Sequence, residues 1–199
     1  MIMINLDLLL AWGASYKKYE AGEVIFEEGS NCYFYHQLVS GKVKWVNVND
    51  EGKEYIQNIV EPGDSFGEIP LFDEGFYVAT AIAYEASLVI RLPKKVFTHI
   101  LIDNPEINFE FSKLLAKRLR YKFILLKTNA FESPEKRITV LLNYLKVEKR
   151  IPNGQTFMVD LTRQQIANMT GLRVETVIRT IRSLNDRGEL TIEQGKIYF

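Results

Sequence analysis

The sequence predicts an α+β chain: an N-terminal antiparallel β-barrel or jelly roll, one long helix, and a C-terminal pair of short helices closed by a hairpin. Three observations carry this expectation. Between Tyr16 and about Leu92, short β-type runs are broken by glycine at intervals of about 7–12 residues, the spacing of small all-β folds. Residues 106–129 then hold neither glycine nor proline and repeat their leucines at helical period. Beyond Leu161, a capping sequence opens a short helix that ends at Gly171 and is followed directly by a second one.

Composition bounds the class. A chain of 199 residues with 47% hydrophobic and 25% charged residues is that of an ordinary globular protein. The start, Met1 to Asp7, has neither the basic segment nor the cleavage site of a signal peptide, and no apolar run approaches the ~20 residues of a membrane span. A cytoplasmic protein without membrane attachment is expected. One cysteine, Cys32, excludes an internal disulfide and an iron–sulfur cluster. His36 and His99 fall in separate elements, which argues against a metal-dependent cupin enzyme and against enzymatic function generally. The net charge is zero, yet residues 1–131 carry 14 basic against 17 acidic side chains (−3) and residues 132–199 carry 11 against 8 (+3). The basic excess sits where a phosphate-binding face would need it.

Taken in order, residues 4–12 read as a short helix with Leu6, Leu9 and Leu10 on one side. Strands follow at 24–26, 33–35, 43–48, 55–60 and 87–92, several alternating apolar and polar residues as half-buried strands do. Their separators are Ala21-Gly22, Glu28-Gly29, Ser40-Gly41, Glu51-Gly52 and Pro62-Gly63. Tyr33, Phe34, Tyr35, Phe76, Tyr77 and Tyr84 are expected as barrel aromatics. After Pro93 the period becomes helical. Ile107, Phe111, Leu114, Leu115, Leu119, Leu125 and Leu126 form a broad apolar stripe, too long for one barrel face to cover, so a second copy is expected to meet part of it. Asn129 to Glu132 read as a connector. Ser133-Pro134 supplies a cap and a first-turn proline for a helix over 134–149, with Ile138, Leu141, Leu142 and Leu145 inward. A turn at Pro152-Asn153-Gly154 and a strand over 156–160 lead into the last segment.

In that segment Thr162 and Gln165 have capping-box spacing, Ala167 is small enough for a close helix crossing, and Gly171 supplies the positive φ of a tight inter-helix turn. The second helix, from Arg173 to about Arg187, buries Val174, Val177, Ile181 and Leu184 and shows Arg173, Glu175, Thr176, Arg179 and Arg182 on its other side. Two strands around Gln194-Gly195 complete a winged helix-turn-helix. Such a helix fits the major groove of double-stranded DNA, where Arg donates two bonds to guanine and Glu accepts from cytosine. Glu175 and Arg179, four apart, project together as base readers; the alternative is an i,i+4 surface ion pair. Arg173 occupies the cap position without being a capping residue and sets a cation at the positive end of the helix dipole, as a DNA-contacting residue would.

The stretch from Leu161 to Arg179 resembles the DNA-binding signature of the Crp/Fnr family of transcription regulators. The resemblance implies that Glu175 and Arg179 recognise bases and that Arg163, Gln164 and Thr176 hold the DNA backbone, with RNA polymerase as a further partner. The order Val174-Glu175-Thr176 is closer to the fumarate–nitrate branch, which has serine where Ile178 stands here. The resemblance runs over nearly the whole chain: residues 19–29, Ser40-Gly41-Lys42-Val43 and 62–68 are similar to the glycine framework of cyclic-nucleotide-binding barrels. In that cassette a glycine–glutamate pair, here Gly67 and Glu68, begins the segment and an arginine with a hydroxyl neighbour closes it. Here Val78 and Ala79 close it instead. Glu68 remains able to accept a ribose hydroxyl, and Lys122 offers a cation from a different element. Cyclic AMP is therefore not the expected ligand; another small effector, or none, is. Residues 1–105 are expected as sensor, 106–131 as dimerisation helix and hinge, and 132–199 as DNA reader of an inverted repeat. The rival is a ligand-binding barrel whose C-terminal domain makes protein–protein contacts.

Overall fold

The structure, a computed structural model, describes residues 4–152 and 154–199; the turn expected at Pro152-Asn153-Gly154 includes Asn153, which lies outside them. The chain divides into two compact units, the first ending at Lys117 and the second running from Arg118 to Phe199.

The first unit begins with helix α1 (Leu6–Ala11), capped by Asn5, whose side chain accepts from the N–H groups of Asp7 and Leu8. Leu9 is buried, while Leu10 faces outward, against expectation. Eight strands follow: β1 (Ser15–Tyr19), β2 (Val24–Phe26), β3 (Phe34–Ser40), β4 (Val43–Val48), β5 (Glu54–Val60), β6 (Ser65–Phe66), β7 (Thr80–Ala83) and β8 (Ser87–Pro93). They form two four-stranded antiparallel sheets, ordered β1-β8-β3-β6 and β2-β7-β4-β5, with the short helix α2 (Ile69–Asp73) between β6 and β7. Leu38, Val43, Val46, Val89 and Ile90 are buried in this β structure. Burial of such apolar side chains, at about 1.5–3 kcal/mol each, is the main force holding it together. Of the expected barrel aromatics, Tyr35 and Tyr77 are buried, but Tyr33, Phe76 and Tyr84 are exposed and Phe34 is half-buried. Helix α3 (Lys94–Asp103) lays Phe97 flat against Tyr35, ring centroids 4.6 Å apart, and Phe111 meets Phe97 edge-on at 5.3 Å.

Phe111 belongs to α4 (Pro105–Phe131), a 27-residue helix that begins in the first unit and ends in the second. It continues through Asn129, Ala130 and Phe131, so the connector shrinks to Glu132 and Ser133. The reason is local: nothing in Asn129-Ala130-Phe131 breaks a helix, and the first breaker is Pro134. The apolar stripe splits in two. Phe111 and Leu125 are buried, whereas Leu119 and Leu126 are exposed.

In the second unit Arg137 donates to the carbonyls of Asn129 and Glu132, closing the end of α4. Helix α5 (Pro134–Glu148) is capped by Ser133 and buries Ile138, Leu141 and Leu142; Leu145 is half-buried. It packs against α6 (Arg163–Thr170) and α7 (Val174–Asp186) around Ile166, Met169, Val177, Ile181 and Leu184. Strands β9 (Met158–Val159), β10 (Thr191–Glu193) and β11 (Lys196–Tyr198) form a small antiparallel sheet ordered β10-β11-β9. β9 is shorter than the strand expected over 156–160 because only two of its residues pair with β11.

Candidate nucleic-acid interface

The turn between α6 and α7 is built as its residues dictate. The Oγ1 of Thr162 accepts the Gln165 N–H at 3.1 Å, and the Gln165 side chain accepts the Thr162 N–H at 2.7 Å. Two otherwise orphan donors of the helix N-terminus are thereby satisfied. At its other end Gly171 adopts φ 68°, and its N–H returns to the carbonyl of Ala167, a residue buried at the crossing. α7 then starts at Val174, directly after Arg173, whose backbone has N-cap geometry (φ −77°, ψ 145°) but whose side chain caps nothing and stands exposed.

Val177, Ile181 and Leu184 turn inward; Glu175, Ile178, Arg179 and Arg182 are exposed, and Thr176 is half-buried. The exposed side lines an open groove of about 520 Å³, with Ser183 and Asp186 at its far end. Among the described residues, no ion pair joins Glu175 to Arg179, so the carboxylate and the guanidinium both face outward. Gln164 bonds to Asn168 along α6 at 2.8 Å. Arg163 does something its sequence position did not announce. Its Nη1 donates to the carbonyl of Gly195 at 2.9 Å, tying the start of α6 to the turn of the β10–β11 hairpin, and burial holds its guanidinium below the usual arginine value. That hairpin turn has positive φ at both Gln194 and Gly195, the pattern of a tight two-residue connection. Asn185 accepts the Ile192 N–H at 2.9 Å, and Arg187 pairs with both Glu135 and Glu189, so the end of α7 is fastened to the hairpin and to α5.

In the first unit the cassette is packed with rings. Phe26 stacks on Tyr77 with centroids 3.7 Å apart and meets His36 and Phe66 at 5.4 and 5.9 Å. Gly67 has φ 69°, and a Cβ there would lie 2.5 Å from the Phe26 ring; only glycine fits. Glu68 is buried at the N-cap of α2. Trp45 donates to the carbonyl of Ala79 at 3.1 Å and Asn47 to that of Val78 at 2.8 Å, so β4 side chains stitch down the closing segment. The Val78 side chain faces solvent and Ala79 is buried. Residues 67–80 contain no lysine or arginine, so this segment supplies no cation for an anionic phosphate. Burial, and then a hydrogen bond with Cys32, push the Tyr77 phenol upward. Buried His36 is held down to about 3, first by burial and then by Arg91 and Lys17. Lys122, on the part of α4 in the second unit, is held down to about 8 by burial and by Arg118.

Residues 16–104 match the family model of the cyclic nucleotide-binding domain, and residues 136–199 that of the Crp-like helix-turn-helix domain. The chain belongs to the Crp/Fnr family of transcription regulators. It is 29% identical over 188 residues to the cAMP-activated global transcriptional regulator CRP of Pasteurella multocida, covering 92% of this chain and 90% of that one. A CRP-like regulator of Mycobacterium tuberculosis is 28% identical over 174 residues, covering 86% and 78%. Among solved structures, the catabolite activator protein of Thermus thermophilus is 27% identical at a TM-score of 0.58, over 96% of this chain and 87% of that one. A CooA variant from Carboxydothermus hydrogenoformans shares the fold at a TM-score of 0.81 with 18% identity, over 97% and 85%.

Within this Crp/Fnr chain the expected DNA-facing residues Arg173, Glu175, Thr176 and Arg179 lie together on the N-terminal half of α7, and Arg163 and Gln164 open α6. Gly67 and Glu68 adjoin at the start of the cassette. Arg182 and Ile178 share the groove with Glu175 and Arg179. The contact of Arg163 with Gly195 spans 32 residues, a pairing no local pattern encodes.

Proposed function

We propose that this Crp/Fnr regulator binds double-stranded DNA as a homodimer on an inverted repeat, one α7 helix in each of two successive major grooves. Glu175 and Arg179 read base edges, with the guanidinium donating to guanine and the carboxylate accepting from cytosine. Arg173, Arg163, Gln164 and Thr176 contact the backbone. The observation that carries the reading is the outer face of α7, which presents a carboxylate and two guanidiniums toward solvent with no ion-pair partner among the described residues. A helix displaying such groups and fastened by its other side to a rigid core is suited to groove entry.

The dimer reading rests on α4. Phe109, Ser112, Ala116, Leu119, Phe123, Leu126 and Ala130 follow one another at alternating steps of three and four, and all are exposed. That is the spacing of the a and d positions along the seam of a two-stranded coiled coil. Residues 1–105 would then serve as sensor, 106–131 as dimerising helix and hinge, and 132–199 as DNA reader, with RNA polymerase as partner and the cytoplasm as location.

Cyclic AMP, named for the Pasteurella relative, does not fit the cassette described here. A desolvated phosphate without a cation costs several kcal/mol, and the Phe26–Tyr77 stack already fills the space beside Gly67. A different small effector, or regulation without one, suits these residues better. Selection from random duplexes at stated salt tests the function. Enrichment of a two-fold symmetric motif is expected. Failure to retain any duplex at low salt would refute the reading and favour a protein-contact role for the second unit.

A further inference from the structure

α7 carries one apolar side chain where its pattern calls for a polar one. Ile178 is 37% exposed and lines the groove beside Glu175, Arg179 and Arg182. It is not among the buried core residues, which α7 supplies with Val177, Ile181 and Leu184. Nor is it there for the helix, since a β-branched residue is a poorer helix former than the alanine, arginine or glutamine that would fit an exposed site. It stands one turn after Glu175, beside Arg179 and one turn before Arg182, so any base edge read by its neighbours passes within its reach. The major groove offers one apolar feature, the 5-methyl group of thymine.

We infer that Ile178 is a specificity-determining residue that selects a thymine in each half-site by packing its side chain against the 5-methyl group. The assignment rests on the DNA-reading role of this face. It adds a term that hydrogen bonding from Glu175 and Arg179 does not supply: discrimination between thymine and any pyrimidine lacking the methyl. Burying one methyl against an aliphatic side chain, at about 0.8 kcal/mol, corresponds to about a fourfold change in affinity per half-site and about 15-fold for a two-fold site.

The test uses the full-length protein and the duplex recovered by random-site selection. Each symmetry-related pair of thymines is replaced in turn by deoxyuridine, which removes both methyls and leaves every hydrogen-bonding group in place. Binding is measured by gel shift at fixed salt for the parent and for Ile178→Ala, whose fold is verified by its circular dichroism melt. The inference expects one symmetric pair of thymines whose demethylation weakens the parent about tenfold or more and Ile178→Ala less than twofold. It also expects a second selection with Ile178→Ala to lose the preference for thymine at that pair alone. Equal losses in parent and variant at every thymine, or an unchanged motif with Ile178→Ala, would overturn it while leaving DNA reading by this face intact. Absence of any selected site would overturn the DNA reading itself.

Discussion

Replacing Leu119 and Phe123 together by glutamate tests the seam on α4. The two side chains are 58% and 64% exposed in the single chain. Complete burial of such a side chain stabilises by about 1.5–3 kcal/mol, so at the middle of that range the exposed portions offer about 1.3 and about 1.4 kcal/mol to a dimer. Each position occurs twice across a two-fold axis, which brings the pair to about 5 kcal/mol before any repulsion among four introduced carboxylates. At 1.4 kcal/mol per decade, the dimer dissociation constant should rise by three to four orders of magnitude. Sedimentation velocity and light scattering over a concentration series read this directly, with Lys117→Glu as an exposed control at a position off the seam on the same helix. The double variant should sediment as a monomer with an unchanged circular dichroism spectrum, and its affinity for the selected operator should collapse. A parent protein that is monomeric at micromolar concentration, or a variant that dimerises as tightly as the parent, would refute the coiled-coil argument.

Four further outcomes follow from the same geometry. Arg179→Ala should cost about 1–3 kcal/mol on the selected operator and relax its sequence, read by repeating the selection with the variant. Arg173→Ser should raise stability by about 1 kcal/mol, because the backbone there already has cap geometry, while weakening operator binding in gel shifts; an unchanged affinity would remove Arg173 from the interface. Isothermal calorimetry with micromolar cyclic AMP should give no binding heat, and saturation coupled to tighter DNA binding would contradict the cassette argument. The last concerns acid. Below about pH 6.5 the unfolded chain takes up a proton at His36 that the folded chain refuses until about pH 3. Folding is therefore destabilised as pH falls through that window, by about 1.4 kcal/mol per pH unit. Urea midpoints followed by circular dichroism from pH 7 to 4 should fall less steeply in His36→Phe than in the parent; parallel curves would show that this site contributes nothing.

The features legible in the sequence are those whose causes are local. Thr162 and Gln165 satisfy each other across one turn, and Gly171 answers a backbone requirement at its own position, so the α6–α7 turn can be read residue by residue. β4 shows itself through Val43, Trp45 and their polar alternates. β1 does not: in Ser15-Tyr16-Lys17-Lys18-Tyr19 only Tyr19 is buried, as suits an edge strand that pairs on one side alone. β6 is two residues long, below any periodicity. α4 reads as one broad stripe because it has two apolar faces. One, through Phe111, is used within the fold; the other, through Leu119, Phe123 and Leu126, is left outside it, and period alone cannot separate them. In the same way, Tyr33 and Phe76 are indistinguishable from Tyr35 and Tyr77 until the chain is folded. The Arg163–Gly195 bond is out of reach for a different reason, since it joins two elements whose meeting only the tertiary structure arranges.

The indole of Trp45, buried and bonded to the carbonyl of Ala79, has a practical consequence. The chain has two tryptophans, and the other, Trp12, follows α1 in the same unit. Intrinsic tryptophan emission therefore reports the first unit and is silent on the second. Any compound that displaces the segment from Val78 to Thr80 must break or bend the indole hydrogen bond, and the emission maximum will move with it. The protein carries its own optical probe on the closing segment of the cassette, so a library of compounds of any chemistry can be screened for displacement of that segment in a plate reader without label or DNA.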